Sequence, residues 1–237
     1  MKKIIAAILL VVCAFALVAC GPDKDPAKKS EGVMTYAEYV AAEMDANVVI
    51  EAYVQATQSW WDNKITVYAA DPDGAYFVYE MTCTEADAAK LTPGTKIKVT
   101  GVKGQWAGEV EVMKATFEFV DDGITYIAEA KDLTNELGKD TLVNYQNQLA
   151  TFKGLTVVAQ KDGKAFNYQD GESGDIYFSA EVNGVTVDFC VEQYLTAPGS
   201  DLYKAAEALK VGDVIDVEAF LYWYEGANPH VVDITVK

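Results

Sequence analysis

Leu91-Thr92-Pro93-Gly94-Thr95-Lys96-Ile97-Lys98-Val99 returns 118 residues later as Leu209-Lys210-Val211-Gly212-Asp213-Val214-Ile215-Asp216-Val217. The shared frame is Leu-x-x-Gly-x-x-Ile-x-Val. A leucine at the end of a short helical pattern is followed by a glycine that stops it. Two β-branched residues then stand two apart, on one face of a strand. Gly108 and Gly226 keep the same spacing of 118. Upstream, Ile65, Val67 and Ala69 match Ile176, Phe178 and Ala180 at 111, and Tyr36 and Val48 match Tyr145 and Val157 at 109. Offsets that drift by a few residues are what loop insertions between elements of constant size produce, so the chain reads as a duplication of one small unit.

Each copy carries the same order of elements. A short helix opens it, over 35–43 in the first copy and 141–149 in the second, each starting on a threonine able to cap it. A strand with period-two alternation follows: Val48, Ile50, Ala52, Val54 in one copy, Leu155, Val157, Ala159 in the other. A hairpin comes next, turning at Asp71-Pro72-Asp73-Gly74 or at Asn183-Gly184; Asn-Gly between alternating strands signals a type I′ turn. A second short helix crosses over (85–90; 201–210), and two last strands close the unit (95–102 with 109–119; 213–224 with 231–236).

Three strands, a helix and two strands, with Leu-x-x-Gly-x-x-Ile-x-Val entering the fourth, resembles the OB-fold, a five-stranded Greek-key barrel. The predicted fold is mainly β with short helices: two tandem OB-like five-stranded barrels, each preceded by a short helix. The units are 34–120 and 139–237, joined by a linker over 121–138. Within that linker Thr125-Tyr126-Ile127-Ala128 is a candidate extra strand.

The N-terminus has a different character. Lys2 and Lys3 precede an apolar run of 16 residues, Ile4 to Ala19, which is short for a hydrocarbon core that needs about 20. It has the anatomy of an export signal. Leu17-Val18-Ala19-Cys20 resembles the lipobox of bacterial lipoproteins. That resemblance implies a signal peptide over 1–19, cleavage before Cys20 and a diacylglycerol on the Cys20 thiol; two acyl chains anchor stably where one does not. Residues 20–33, rich in Pro, Lys, Asp and Ser, read as a flexible tether. The implied location is the extracytoplasmic face of the cell membrane.

Of four cysteines, Cys13 falls in the signal and Cys20 carries the lipid, which leaves Cys83 and Cys190, one in each copy. They are expected to be buried free thiols; no Cys-x-x-Cys spacing for zinc exists.

Charge excludes one class of partner. The chain has 19 Lys+Arg against 36 acids, a net charge of −17, and every one of the 19 is lysine. Without Lys2 and Lys3 the balance is 17 − 36 = −19. Such a field repels a phosphate backbone, and the bidentate guanidinium contacts that read phosphate and guanine are absent. Nucleic acid is disfavoured as a partner.

Catalytic patterns are missing. The single histidine, His230, follows Pro229 and reads as a loop residue; there is no Gly-x-Ser-x-Gly elbow, phosphate loop or dinucleotide fingerprint. The chain is read as a non-enzyme. Acids crowd at Asp71-Pro72-Asp73 and across Asp170, Glu172 and Asp175, where turn chemistry accounts for Asp and Gly and weak calcium binding is the alternative. The aromatic residues are more telling. Trp60 and Trp61 fall in the loop between strands one and two. Trp106 lies in the loop between strands four and five, and Tyr222, Trp223 and Tyr224 fall in the same region of copy two. In OB domains these loops, with the face of strands two and three, bind oligonucleotides and oligosaccharides. Trp61, Trp106, Tyr222, Trp223 and Tyr224 are therefore candidate ligand-binding residues; the competing reading makes them plugs of the barrel ends. Asp62-Asn63 turns Trp61 outward and leaves Trp60 inward.

The expected function is a lipid-anchored extracytoplasmic binding or scaffold protein for a neutral or cationic ligand, an oligosaccharide or a peptide. Its rivals are an OB-type single-stranded nucleic-acid binder and a structural subunit of an envelope complex.

Overall fold

The computed structural model describes residues 25–237; the predicted signal, Cys13 and Cys20 lie outside the described residues. The fold is mainly β. In chain order α1 is Tyr36–Ala41, β1 Asn47–Thr57, β2 Lys64–Asp71, β3 Gly74–Thr82, α2 Glu85–Ala88, β4 Lys96–Trp106 and β5 Glu109–Phe119. There follow β6 Lys131–Asp132, β7 Leu149–Val158, β8 Phe166–Tyr168, β9 Ile176–Val182, β10 Val185–Val191, α3 Asp201–Glu207, β11 Val214–Phe220 and β12 His230–Val236.

The first barrel closes in the order β1-β2-β3-β5-β4, with β1 antiparallel to β4 and β3 parallel to β5. The second repeats it as β7-β9-β10-β12-β11, with β7 paired to both β9 and β11 and β10 parallel to β12. The strands correspond one to one, as a duplicated OB barrel requires. Closure depends on β1 serving two partners: Asn47 to Tyr53 pair with β4, and from Tyr53 to Thr57, across a bulge at Val54/Ala56, it pairs with β2. Gly101 permits the matching bend between β4 and β5, since a Cβ there would stand 2.8 Å from the Met113 carbonyl oxygen.

The repeated motif does what its spacing implies, with one correction. Leu91, Ile97 and Val99, like Leu209, Ile215 and Val217, are buried in the two cores. The glycines, however, do not stop a helix, because α2 already ends at Ala88. Gly94 (φ +88°) is the third residue of a turn closed by Thr95 N–H donating to Thr92 O at 3.0 Å. Gly212 (φ +94°) does the same between Lys210 and Asp213. A positive φ at that position, after Pro93 in the first copy, defines a type II turn, and glycine reaches it without strain. Each turn then ties back to the first strand: Gly94 N–H donates to Val54 O and Gly212 N–H to Val157 O.

That pairing also moves one register. Val157 corresponds to Val54, an offset of 103, and not to Val48 at 109; Ala69 and Ala180 confirm it, each facing the first-strand valine. The two alignments differ by six residues, an even number, so both preserve the inward–outward alternation.

The opening helices differ between copies. Thr35 caps α1 in a full capping box with Glu38, and Lys103 Nζ donates to the carbonyls of Tyr39, Val40 and Ala42 at its other end. In the second copy the segment is a 3-10 turn over Asp140–Tyr145, entered from Lys139 without a side-chain cap. The tether is bound to the first barrel from Pro26 onward, where the Tyr53 hydroxyl donates to Pro26 O at 3.3 Å. Lys29 Nζ, half-buried, donates to Asp71 and to Glu51 O, while Ser30 N–H donates to Glu51. Thr125–Ala128 forms no strand. The Gln55 side chain takes the place of a ladder, accepting from Ala128 N–H and donating to Tyr126 O. The chain then joins the second barrel as β6, parallel to β7.

The barrels are packed against each other. In the first, Ile65, Val67, Ala69, Tyr76 and Val78 of β2 and β3 point into the core, so Tyr68 and Phe77 point out. Both are nevertheless buried, under Phe220, Tyr222, Leu149, Leu195 and Val232 of the second barrel. Tyr68 stacks on Phe220 at 4.5 Å between centroids, and Phe77 meets Tyr222 edge-on at 5.2 Å. Such pairs add about 0.5–1.5 kcal/mol each beyond their buried area. His230 is buried here and is not a loop residue: its Nδ1 lies 2.6 Å from the Tyr68 hydroxyl, and its ring stacks on Tyr222 at 4.1 Å.

Candidate functional site

The joint covers the β2–β3 face of the first barrel, the face on which an OB barrel ordinarily takes a ligand. The corresponding face of the second barrel is acidic and only partly covered, with Ser179 and Cys190 buried and Glu181, Thr186 and Asp188 towards solvent. Its outward residues include Tyr177, Ser179, Glu181, Thr186 and Asp188, and neither β9 nor β10 carries a lysine. What remains for binding are the aromatic loops at the ends of the joint.

The structure brings Trp106 and Tyr224 together. Trp106 ends β4 and Tyr224 sits between β11 and β12; their rings lie 5.1 Å apart with an interplanar angle of 44°. They are 56% and 49% exposed. The backbone beneath them is shared by both barrels: Glu225 N–H donates to Ala107 O at 2.6 Å. Ala107 (φ +49°) and Glu225 (φ +56°) both hold left-handed backbone conformations, an arrangement non-glycine residues seldom adopt unless their surroundings impose it. Trp223 is the fixed point. It packs on the second barrel's core, its N–H donates to Glu109 Oε2 at 2.9 Å, and Gly108 lies under its ring, where a Cβ would stand 2.7 Å away. Gln146 and Asn147 clasp the same loop: Val110 N–H donates to Gln146 Oε1, and the two amide groups donate to Gly108 O and Val110 O.

Trp61 stands apart, separated from Trp106 by the length of β1. It is 68% exposed at the tip of a two-residue turn, Asp62 (φ +47°) and Asn63 (φ +59°), closed by Trp61 and Lys64 exchanging both backbone hydrogen bonds. Trp60 points inward onto the first core, and its Nε1–H donates to Cys83 O at 2.8 Å. Both readings of the aromatic set thus hold for different members: Trp61, Trp106 and Tyr224 are exposed, whereas Trp60, Trp223 and Tyr222 are packed into the cores and the joint. Tyr194, which the sequence did not mark, is also exposed, and its carbonyl accepts from Ser59 N–H and Oγ–H beside Trp61. It lies in an insertion after β10 that has no counterpart in the first copy, so the repeat offered no signal for it.

Asp170, Glu172 and Asp175 do not converge. Among the described residues no three acid, histidine or cysteine side chains form a group able to hold a metal. Asp175 Oδ1 is occupied by Gln193 N–H at 2.9 Å. Cys83 and Cys190 are both buried and free.

No protein-family model matches the chain, and no curated protein does. Solved structures match the chain at low identity. One is the tetrameric p202 HIN2, 11% identical, covering 82% of this chain and 97% of its own, with a TM-score of 0.35. Another is the Ifi202 HINa domain in complex with 20-bp double-stranded DNA, 12% identical, covering 81% and 98%, with a TM-score of 0.36. A third is the single-stranded DNA-binding protein from Thermus aquaticus, 12% identical, covering 81% and 92%, with a TM-score of 0.28. Likeness at this level says nothing about what this chain binds.

Proposed function

We propose that this protein is a lipid-anchored, extracytoplasmic binding or scaffold module. It takes a neutral or cationic ligand, an oligosaccharide or a peptide, on an aromatic edge built jointly by its two barrels. The observation that carries this reading is the Trp106–Tyr224 pair: two half-exposed rings from different barrels on one hydrogen-bonded frame. Rings already held in place lose little conformational entropy on binding. Their faces suit the apolar side of a sugar ring, and an acidic surround favours a cationic side chain over an anionic one. The anchor follows from Leu17-Val18-Ala19-Cys20. Because the chain is bound to the first barrel from Pro26 onward, the step from Cys20 to Pro26 spans at most ~22 Å. The module therefore lies close against the bilayer.

Single-stranded nucleic acid is the second reading. Exposed rings on an OB barrel stack bases without sequence preference, and this supports it. The covered β2–β3 face, the lysine-free acidic face of the second barrel and the absence of arginine weigh against it.

One set of measurements separates the readings. Residues 25–237 are titrated with neutral oligosaccharides, a cationic peptide and oligo-dT. Saccharide or peptide binding that weakens at least about tenfold in Trp106→Ala and Tyr224→Ala supports the proposal. Oligo-dT binding that falls steeply with salt would replace it by the second reading. In the full chain, Cys20→Ala should move the protein from the membrane to the soluble fraction; retention with the signal removed would contradict the anchor.

A further inference from the structure

The joint between the barrels is fastened by buried acids, one from each side. Glu109, at the start of β5, reaches into the second barrel and accepts from Trp223 N–H. Its other oxygen, Oε1, is buried with no hydrogen-bond partner. Glu192, just after β10, accepts from Tyr194 N–H at 3.0 Å and Leu195 N–H at 2.7 Å, and reaches the first barrel through Gln58 Nε2–H at 3.0 Å. Between the two lies the stack of Tyr68, Phe77, Phe220, Tyr222 and His230.

We propose that this joint is a proton-linked closure: Glu109 and Glu192 hold the second barrel over the Tyr68–Phe77 face while they are neutral and loosen it when they ionise.

The surroundings supply no counter-charge. Around Glu109 stand Glu111 of the same strand, Tyr39 of α1 and Tyr222 from the segment after β11, with the Asn147 amide alongside. Lys103, the lysine near Tyr39, already donates to three carbonyls of α1. Around Glu192 stand Asp175, Cys190, Tyr177 and Tyr68, with His230 on the Tyr68 hydroxyl. A carboxylate in such a place loses its hydration without a cation to replace it, so the neutral acid is favoured. Burial accordingly pushes Glu109 up to about 8 and Glu192 up to about 7; Glu111, raised by burial and by Glu80, lies at about 7.

The sign follows from linkage. Each acid holds a proton in the closed protein that an exposed carboxyl, with an ordinary value of 4.5, has lost. Closure is therefore most stable below pH 4.5 as far as these groups are concerned, and it weakens as pH rises towards their folded values of about 7 and 8. His230 acts oppositely: burial lowers it from 6.5 to about 3, so its contribution grows over that interval and is complete by pH 6.5. Above pH 6.5 the acids act without it. Loosening would uncover Tyr68 and Phe77, the ligand-binding face of an OB barrel.

The test is amide hydrogen exchange on the full chain in detergent micelles at pH 6.5 and 8.5, with protection factors corrected for base catalysis. The expected result is a fall of about tenfold in protection at Trp223, Tyr194 and Leu195, while the core amides of Val99 and Val217 keep theirs. In Glu109→Gln, a neutral isostere, Trp223 should lose its pH dependence; in Glu192→Gln, Tyr194 and Leu195 should. Joint amides whose protection does not change with pH in the unmodified protein would overturn the proposal, as would a parallel fall in both cores. Should a Gln variant fail to fold, the unmodified profile alone decides.

Discussion

At the scale of single residues, the adjacent pair Trp60 and Trp61 shows how a turn assigns roles. In an extended segment neighbours face opposite ways, and Asp62-Asn63 adopts the left-handed backbone that a tight turn requires. Trp61 is left in solvent, and Trp60 packs half-buried against the first core with its indole N–H satisfied. Trp61→Ala should therefore change unfolding free energy by no more than about 0.5 kcal/mol. Trp60→Ala, which removes a half-buried ring packed on the core, should cost several times more, roughly 2–4 kcal/mol. Urea denaturation of the two variants checks this, and equal losses would contradict the assignment. These two residues were legible in the sequence because the cause is local. His230, Glu109 and Glu192 were not: each is placed by a contact with the other barrel, to Tyr68, Trp223 and Gln58 respectively, which no local pattern announces.

At the scale of elements, the motif Leu-x-x-Gly-x-x-Ile-x-Val located the fourth strand of each barrel, because a left-handed turn position and two inward residues leave few other choices. The first strand was harder. Period-two alternation is unchanged by a shift of six residues, so only the hydrogen bonds of Gly94 and Gly212 to Val54 and Val157 fix the correspondence. Thr125–Ala128 shows a further limit of pattern reading. It lies beside β1, but its backbone bonds go to one side chain, Gln55, and not to the backbone of a strand. Gln55→Ala should release this segment from the barrel. Limited proteolysis should then cut within 124–130 several-fold faster than in the unmodified protein, with little change in thermal stability. An unchanged cleavage rate would mean that the packing of Tyr126 against Tyr53, 5.7 Å between centroids, holds the segment by itself.

At the scale of the whole molecule, two barrels that sequence reading treats as independent units share a buried seam. Aromatic stacking occupies its middle, and hydrogen bonds cross it near both ends: Gln58 to Glu192 and Ser59 to Tyr194 at one, Trp223 to Glu109 and Glu225 to Ala107 at the other. Either barrel unfolding alone would leave Tyr68, Phe77 or Phe220 uncovered and buried polar groups unpaired, which couples the two transitions. Each barrel also carries its own reporter, since Cys83 and Cys190 are buried and free. The most direct measurement is thiol labelling of residues 25–237 at equilibrium across a urea series, with the two cysteines resolved by mass. A single closed body predicts that Cys83 and Cys190 become reactive at the same urea concentration. Labelling of Cys190 at clearly lower urea while Cys83 stays protected, or the reverse, would contradict it.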